Sequence, residues 1–165
     1  MFYLREFIIA TIAAVGFSLI FDLPKKAIYI SSLAAGLGWV IYKITLEFTG
    51  SVYLGSLISA LIMAATAEVL ARIYHYPASV FILPGIINLC PGEAIYKTMT
   101  CFIANDNFNA LSNFYKALGI AAAIAFGVLL SSSFSSSLKT FKWRNQRRTD
   151  FTKAFFRRKK WKIYI

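Results

Sequence analysis

The sequence predicts an all-α integral membrane protein of about five transmembrane helices, the fourth broken by two Pro-Gly pairs. Three observations carry this. The 165 residues are 58% hydrophobic and only 15% charged, against about 25% charged in an average soluble domain. Five apolar segments each approach the roughly 20 residues a helix needs to cross a bilayer. One of them contains the stretch FILPGIINLCPG, residues 81–92, in which Pro84-Gly85 and Pro91-Gly92 interrupt an otherwise apolar run.

The segments run from about Phe7 to Leu23, Ala27 to Phe48, Val52 to Tyr74, Ala78 to Ala104 and Phe114 to Phe134. Short polar punctuation separates them: Asp22-Leu23-Pro24-Lys25-Lys26, Thr49-Gly50-Ser51, His75-Tyr76-Pro77 and Asn105-Asp106-Asn107. The first lacks the basic lead and small-residue cleavage site of a signal peptide and is followed by further spans, so it reads as a mature helix. In the third, Ser56, Ala60, Ala64, Glu68 and Arg72 recur every four residues; in the fifth, Gly119, Ala123, Gly127 and Ser131 do the same. Ser32, Gly36 and Gly38 add small residues to the second. Such stripes let helix backbones approach closely in lipid.

Charge divides the chain into a transmembrane domain, 1–138, and a basic aromatic tail, 139–165. The tail holds eleven Lys/Arg and one acid, Asp150, for a net of +10, while the preceding 138 residues hold seven bases and six acids. Five spans place the termini on opposite sides. The excess of positive charge favours a cytoplasmic tail, with Lys25, Lys26 and Arg72 on the same side and Arg5, Lys43, Lys97 and Lys116 toward the other. Bases interleaved with Phe141, Trp143, Phe151, Phe155, Phe156, Trp161 and Tyr164 suit a segment lying on anionic lipid, or a plain positive-inside anchor. Confinement of the charge to the end of a membrane-like chain argues against nucleic acid as a partner. Cys90 and Cys101 are too few for a disulfide framework and lack metal-ligand spacing. No His-Glu-x-x-His pattern and no Gly-rich phosphate loop occurs, so neither an enzyme nor a cofactor or metal is expected.

The chemistry is expected at the break. Non-helical backbone at membrane depth is tolerated where protein or a water-filled cavity satisfies it, and transporters place ion and substrate sites at such half-helix ends. A helix restarting at Pro91-Gly92 offers free amides and a positive dipole end to a carboxylate. Gly85, Asn88, Gly92, Glu93 and Tyr96 are the candidate substrate-binding residues. Glu93, Lys97 and Glu68 are the coupling candidates, because ionisable groups within a span are costly and face a cavity or one another. The simpler alternatives are a proline kink with no ligand, a self-satisfied Glu93–Lys97 pair, and an Arg72 that snorkels to the surface beside Glu68.

Three stretches resemble the threonine/serine exporter family, in particular its short membrane-only subunit. They are Phe21-Asp22-Leu23-Pro24 before a basic turn, Gly36-Leu37-Gly38-Trp39, and Pro77-Ala78-x-x-Phe81-x-x-Pro84-Gly85-Ile86-x-x-Leu89-x-Pro91-Gly92-x-x-x-Tyr96. The resemblance runs from about residue 5 to about 135; the extended tail lies outside it. It implies a five-span half of a ten-span inner-membrane transporter, the halves fused in some members and the first half supplied by a separate larger subunit in others. It also implies export of small amino acids or, in some two-subunit members, succinate. A homo-oligomer is the other assembly expected, and a non-transporting scaffold subunit for a larger partner is the alternative function. Transport requires a polar cavity near Asn88 to Glu93; a scaffold requires only a dry, packed break.

Overall fold

The computed structural model describes residues 2–161, with side chains through residue 134. It is all-helical: α1 (Phe2–Ile20), α2 (Lys25–Thr49), α3 (Val52–Tyr74), α4 (Ala78–Leu89), α5 (Gly92–Ile103) and α6 (Asn107–Trp161). The chain forms two compact units, Met1–Ser132 and Ser133–Ile165. The second is helical backbone through Trp161. The side chains of the expected basic aromatic tail, and of Ser135, Ser136 and Ser137 before it, lie outside the described residues.

Helices α1, α2 and α3 and the Asn107–Phe134 part of α6 are long and apolar enough to cross a membrane, and α4 with α5 forms a further pair bent by 44°. Twelve residues of helix rise about 18 Å. A 44° bend keeps α5 moving forward by about 13 Å, so the pair advances about 31 Å, close to the hydrocarbon thickness. Taken as one span, the pair brings the number of candidate membrane spans from four to five.

The helix ends follow from local chemistry. Helix α1 stops before the apolar run does, because Asp22 takes a left-handed φ of 50°. The Leu23 amide then reaches back to Ser18 O and that of Asp22 to Leu19 O, closing a Schellman motif. Asn105, φ 58°, ends α5 in the same way through Asp106 N to Cys101 O and Asn105 N to Phe102 O. Helix α6 begins at Asn107, seven residues before the apolar run, because Asp106 caps it. Its carboxylate accepts from the Asn109 side chain at 2.6 Å and the Asn109 amide at 3.2 Å. Those two bonds, the side-chain one foremost, hold the Asp106 carboxyl below its usual range. Its contribution to the helix start is then complete above the ordinary Asp value, about 3.9, and is lost as pH falls through the depressed one. The Asn109 amide resonance is expected to follow that titration below the ordinary value, and Asp106→Ala to abolish it.

The interior is built from small residues. Ala14, Ala27, Ala35, Ala60, Ala64, Ala67, Ser18, Ser31, Ser32, Ser56 and Ser59 are all 0 or 1% exposed, and Phe81 and Pro84 are the bulkiest side chains buried to that extent. The expected stripes meet as packing faces. A methyl group on Gly127 of α6 would stand 2.7 Å from Leu57 O and 3.0 Å from Ala60 Cβ of α3. The Ser59 hydroxyl donates to Gly38 O across α2–α3 at 2.6 Å. Gly36 faces Phe7 and Thr11 of α1, whereas Gly38 faces Met63 of α3.

The structure places the break at one Pro-Gly pair, not two. Pro84 lies inside α4 and is fully buried. Gly85 admits the Met63 side chain so closely that a Cβ there would require Met63 to move. Burial of Pro84 and close approach of α3 keep α4 helical there, despite the hydrogen bond that proline forfeits. At Cys90-Pro91 the ladder does end. Cys90 is extended at φ −55°, ψ 136°, as the residue before proline prefers. Pro91 at φ −75°, ψ 48° centres an inverse γ-turn closed by Gly92 N to Cys90 O at 2.8 Å.

Candidate functional site

The break opens into a cavity of about 430 Å³. One wall is α2, with Trp39, Tyr42, Lys43 and Leu46; the start of α3 gives Val52 and Ser56; Leu89 to Ala94 and Lys97 come from the break and α5; Asn113, Lys116 and Ile120 come from α6. The helices reach this level at the same end of the bundle. Tyr3 near the start of α1 hydrogen-bonds Glu47 near the end of α2, and Glu6 accepts from Trp39 Nε1 at 2.8 Å. The cavity is therefore at the end that carries the N-terminus. A larger hollow of about 580 Å³ between α2 and α3 is apolar but for Thr66. It suits hydrocarbon and offers no polar cargo a partner.

Three lysines converge on the cavity, Lys43, Lys97 and Lys116, with one carboxylate, Glu93. Lys97 and Glu93 form an exposed i, i+4 pair at 2.6 Å, so the self-satisfied pair exists and sits on the rim. Lys43 lies 3.9 Å from Glu6 and 5.3 Å from the Trp39 ring centroid. Tyr42 stacks at a tilt on Trp39 with centroids 5.2 Å apart. At the start of α5 the backbone amides of Gly92 and Ile95 are taken by Cys90 O and Pro91 O. Those of Glu93 and Ala94 stand in the first turn, where a helix has no acceptor of its own. The arrangement combines a helix start with an excess of cations. It favours a small anion or the carboxylate of a zwitterion.

Of the residues expected from sequence, the structure gathers Gly92, Glu93 and Lys97 in the cavity wall. It sets the other four elsewhere. Asn88 turns to α1 and donates to Ala10 O at 3.0 Å, tying the end of α4 to that helix. Tyr96 is 70% exposed on α5 and Gly85 packs on Met63. Glu68 is half-buried on α3, twelve residues and about 18 Å of helix from Ser56. Sequence reasoning missed Tyr42, Lys43, Ser56, Asn113 and Lys116 as site residues. Lys43 and Lys116 did carry a signal: each is a lone cation inside an apolar segment.

A bundle of span-length apolar helices, one of them broken at a cation-lined cavity, defines a multi-pass α-helical membrane protein of the transporter class. The family model described as Threonine/Serine exporter, ThrE, matches residues 6–134, and the chain belongs to that family. It is similar to an uncharacterized protein of Haemophilus influenzae (27% identity over 77% of this chain and 46% of that protein). It is also similar to a threonine/serine exporter of Corynebacterium glutamicum (29% identity over 78% of this chain and 26% of that protein). The chain thus spans less than half the length of these curated relatives. No solved structure matches it.

Proposed function

We propose that the chain is a five-span subunit of a secondary exporter that moves small carboxylate-bearing metabolites out of the cell. The cargo is a threonine/serine-type amino acid or a dicarboxylate such as succinate. The observation that carries this is the meeting of Lys43, Lys97 and Lys116 around one carboxylate at the Pro91 break. Family membership supports the export direction. A polar cavity at the break favours transport over a scaffold role, for which a packed break suffices. The absence of a nucleotide-binding motif from the sequence points to an ion gradient or the cargo's own gradient as the driving force.

The assembly is a larger subunit supplying the other half, copies of the same chain, or both; relatives more than twice the aligned length are consistent with the first. The membrane is the inner (plasma) membrane and the basic tail is cytoplasmic, which turns the cavity toward the outside. The test is efflux of labelled threonine and of labelled succinate from preloaded cells, with the full chain expressed alone and beside the larger subunit. Faster efflux of at least one cargo is expected. Unchanged efflux of both, with the chain present in the membrane, would sink the proposal.

A further inference from the structure

We infer that Glu6 is a positioning residue for this cavity, a resident counter-carboxylate that holds Lys43 while the cavity is empty and yields it to the carboxylate of an incoming substrate. The inference rests on the carboxylate-site proposal above and adds to it a control of affinity. Glu6 lies on α1 behind the α2 wall, and its side chain is 16% exposed, against 81% for Glu93. A carboxylate so far from water in an apolar bundle needs partners.

Its partners are unequal, and both line the cavity. Trp39 Nε1–H donates to Glu6 Oε2 at 2.8 Å, a well-formed hydrogen bond that fixes the carboxylate. Lys43 Nζ stands 3.9 Å from the same oxygen, at the outer limit of an ion pair, and 5.3 Å from the Trp39 ring centroid. Lys97, by contrast, is closed on Glu93 at 2.6 Å. Lys43 is thus held by attraction at a distance, with its ammonium partly exposed beside the cavity. A substrate carboxylate that reaches hydrogen-bond distance of Lys43 gains more than Glu6 offers. When the substrate leaves, Glu6 reclaims the lysine. The pair lowers affinity by a set amount and so helps release.

Cys90 lines the cavity and is exposed, which gives a probe inside the site itself. The full chain with Cys101→Ser is placed in nanodiscs, and Cys90 is modified with the anionic reagent sulfonatoethyl methanethiosulfonate. Protection is titrated with L-threonine and with succinate. Glu6→Gln removes the charge and keeps an oxygen for the Trp39 hydrogen bond. It is expected to lower the half-protecting concentration about fivefold, the upper end for a partly exposed ion pair. In a Lys43→Gln background the gain should vanish.

An unchanged or raised half-protecting concentration in Glu6→Gln, while Lys43→Gln weakens protection, overturns the role of Glu6 and leaves the carboxylate site standing. A fivefold gain that persists without Lys43 overturns it as well, because Glu6 then acts only through its field. If neither compound protects the unsubstituted cavity, or if Lys43→Gln and Lys116→Gln leave protection intact, the carboxylate site itself fails and this inference falls with it.

Discussion

Gly127→Leu is expected to strip α6 from α3 and to cost most of the folded protein recovered from membranes. A single methyl at this position meets Leu57 O at 2.7 Å, Ala60 Cβ at 3.0 Å and Leu61 N at 3.0 Å. Two of those three atoms are backbone and cannot swing aside, so the helices must separate. Overpacking of this kind costs about 1–3 kcal/mol or more. Here the loss spreads to Ile120, Ile124 and Val128, which pack with Ala60 and Leu89 in one apolar cluster. Gly119→Leu should be milder, since its nearest neighbour is the Tyr53 side chain at 2.6 Å, which can rotate. A methyl group on Gly16 meets nothing within 4 Å, and Gly16→Leu should be silent. Thermal stability of the three variants in mild detergent reads this order directly. A Gly127→Leu variant as stable as Gly16→Leu would mean that α6 does not seat on α3 through this glycine.

The second large effect is expected from the lysines. Replacing Lys43 and Lys116 together by Gln should lower export at least tenfold at matched membrane levels. Hydrogen bonds to charged groups contribute about 1.5–3 kcal/mol each, so one such contact is worth about tenfold or more. Neither substitution should disturb folding greatly: Lys116 is exposed, and the contacts of Lys43 are long, 3.9 Å to Glu6 and 5.3 Å to the Trp39 ring centroid. Export by the double variant at the unsubstituted rate would move the site away from the Pro91 break.

Much of the bundle is legible in sequence because a membrane span is a demand on length and apolarity alone. The third segment, Val52 to Tyr74, is read to the residue. The first overshoots because hydropathy continues to Leu23 while Asp22 has already turned the chain. The fifth starts late because Asn107, Asn109 and Asn113 look like loop residues until Asp106 is seen to cap them. Pro84 shows the limit of local rules. Its Pro-Gly pair is as strong a breaker as Pro91-Gly92, yet tertiary burial against α3 keeps it helical.

The site was legible only in part for a related reason. Gly92, Glu93 and Lys97 are close together in the chain, so a motif can gather them. Trp39, Lys43 and Lys116 come from two other helices, and only the packing register brings them to the same level. Counting charges for orientation puts Lys43, Lys97 and Lys116 on one side of the bundle. The structure shows that this shared side is also a shared cavity. Glu6 was beyond reach, since its importance lies in contacts to residues 33 and 37 positions away along the chain.

The most direct measurement is equilibrium binding of labelled succinate and labelled L-threonine to the purified full chain in nanodiscs, beside the Lys43→Gln/Lys116→Gln variant. At least one of the two compounds should bind the unsubstituted chain saturably, and the variant should bind it at least tenfold more weakly while showing the same helical content. Equal affinity in the two proteins, or no saturable binding of either compound, would contradict a carboxylate site at the broken fourth helix.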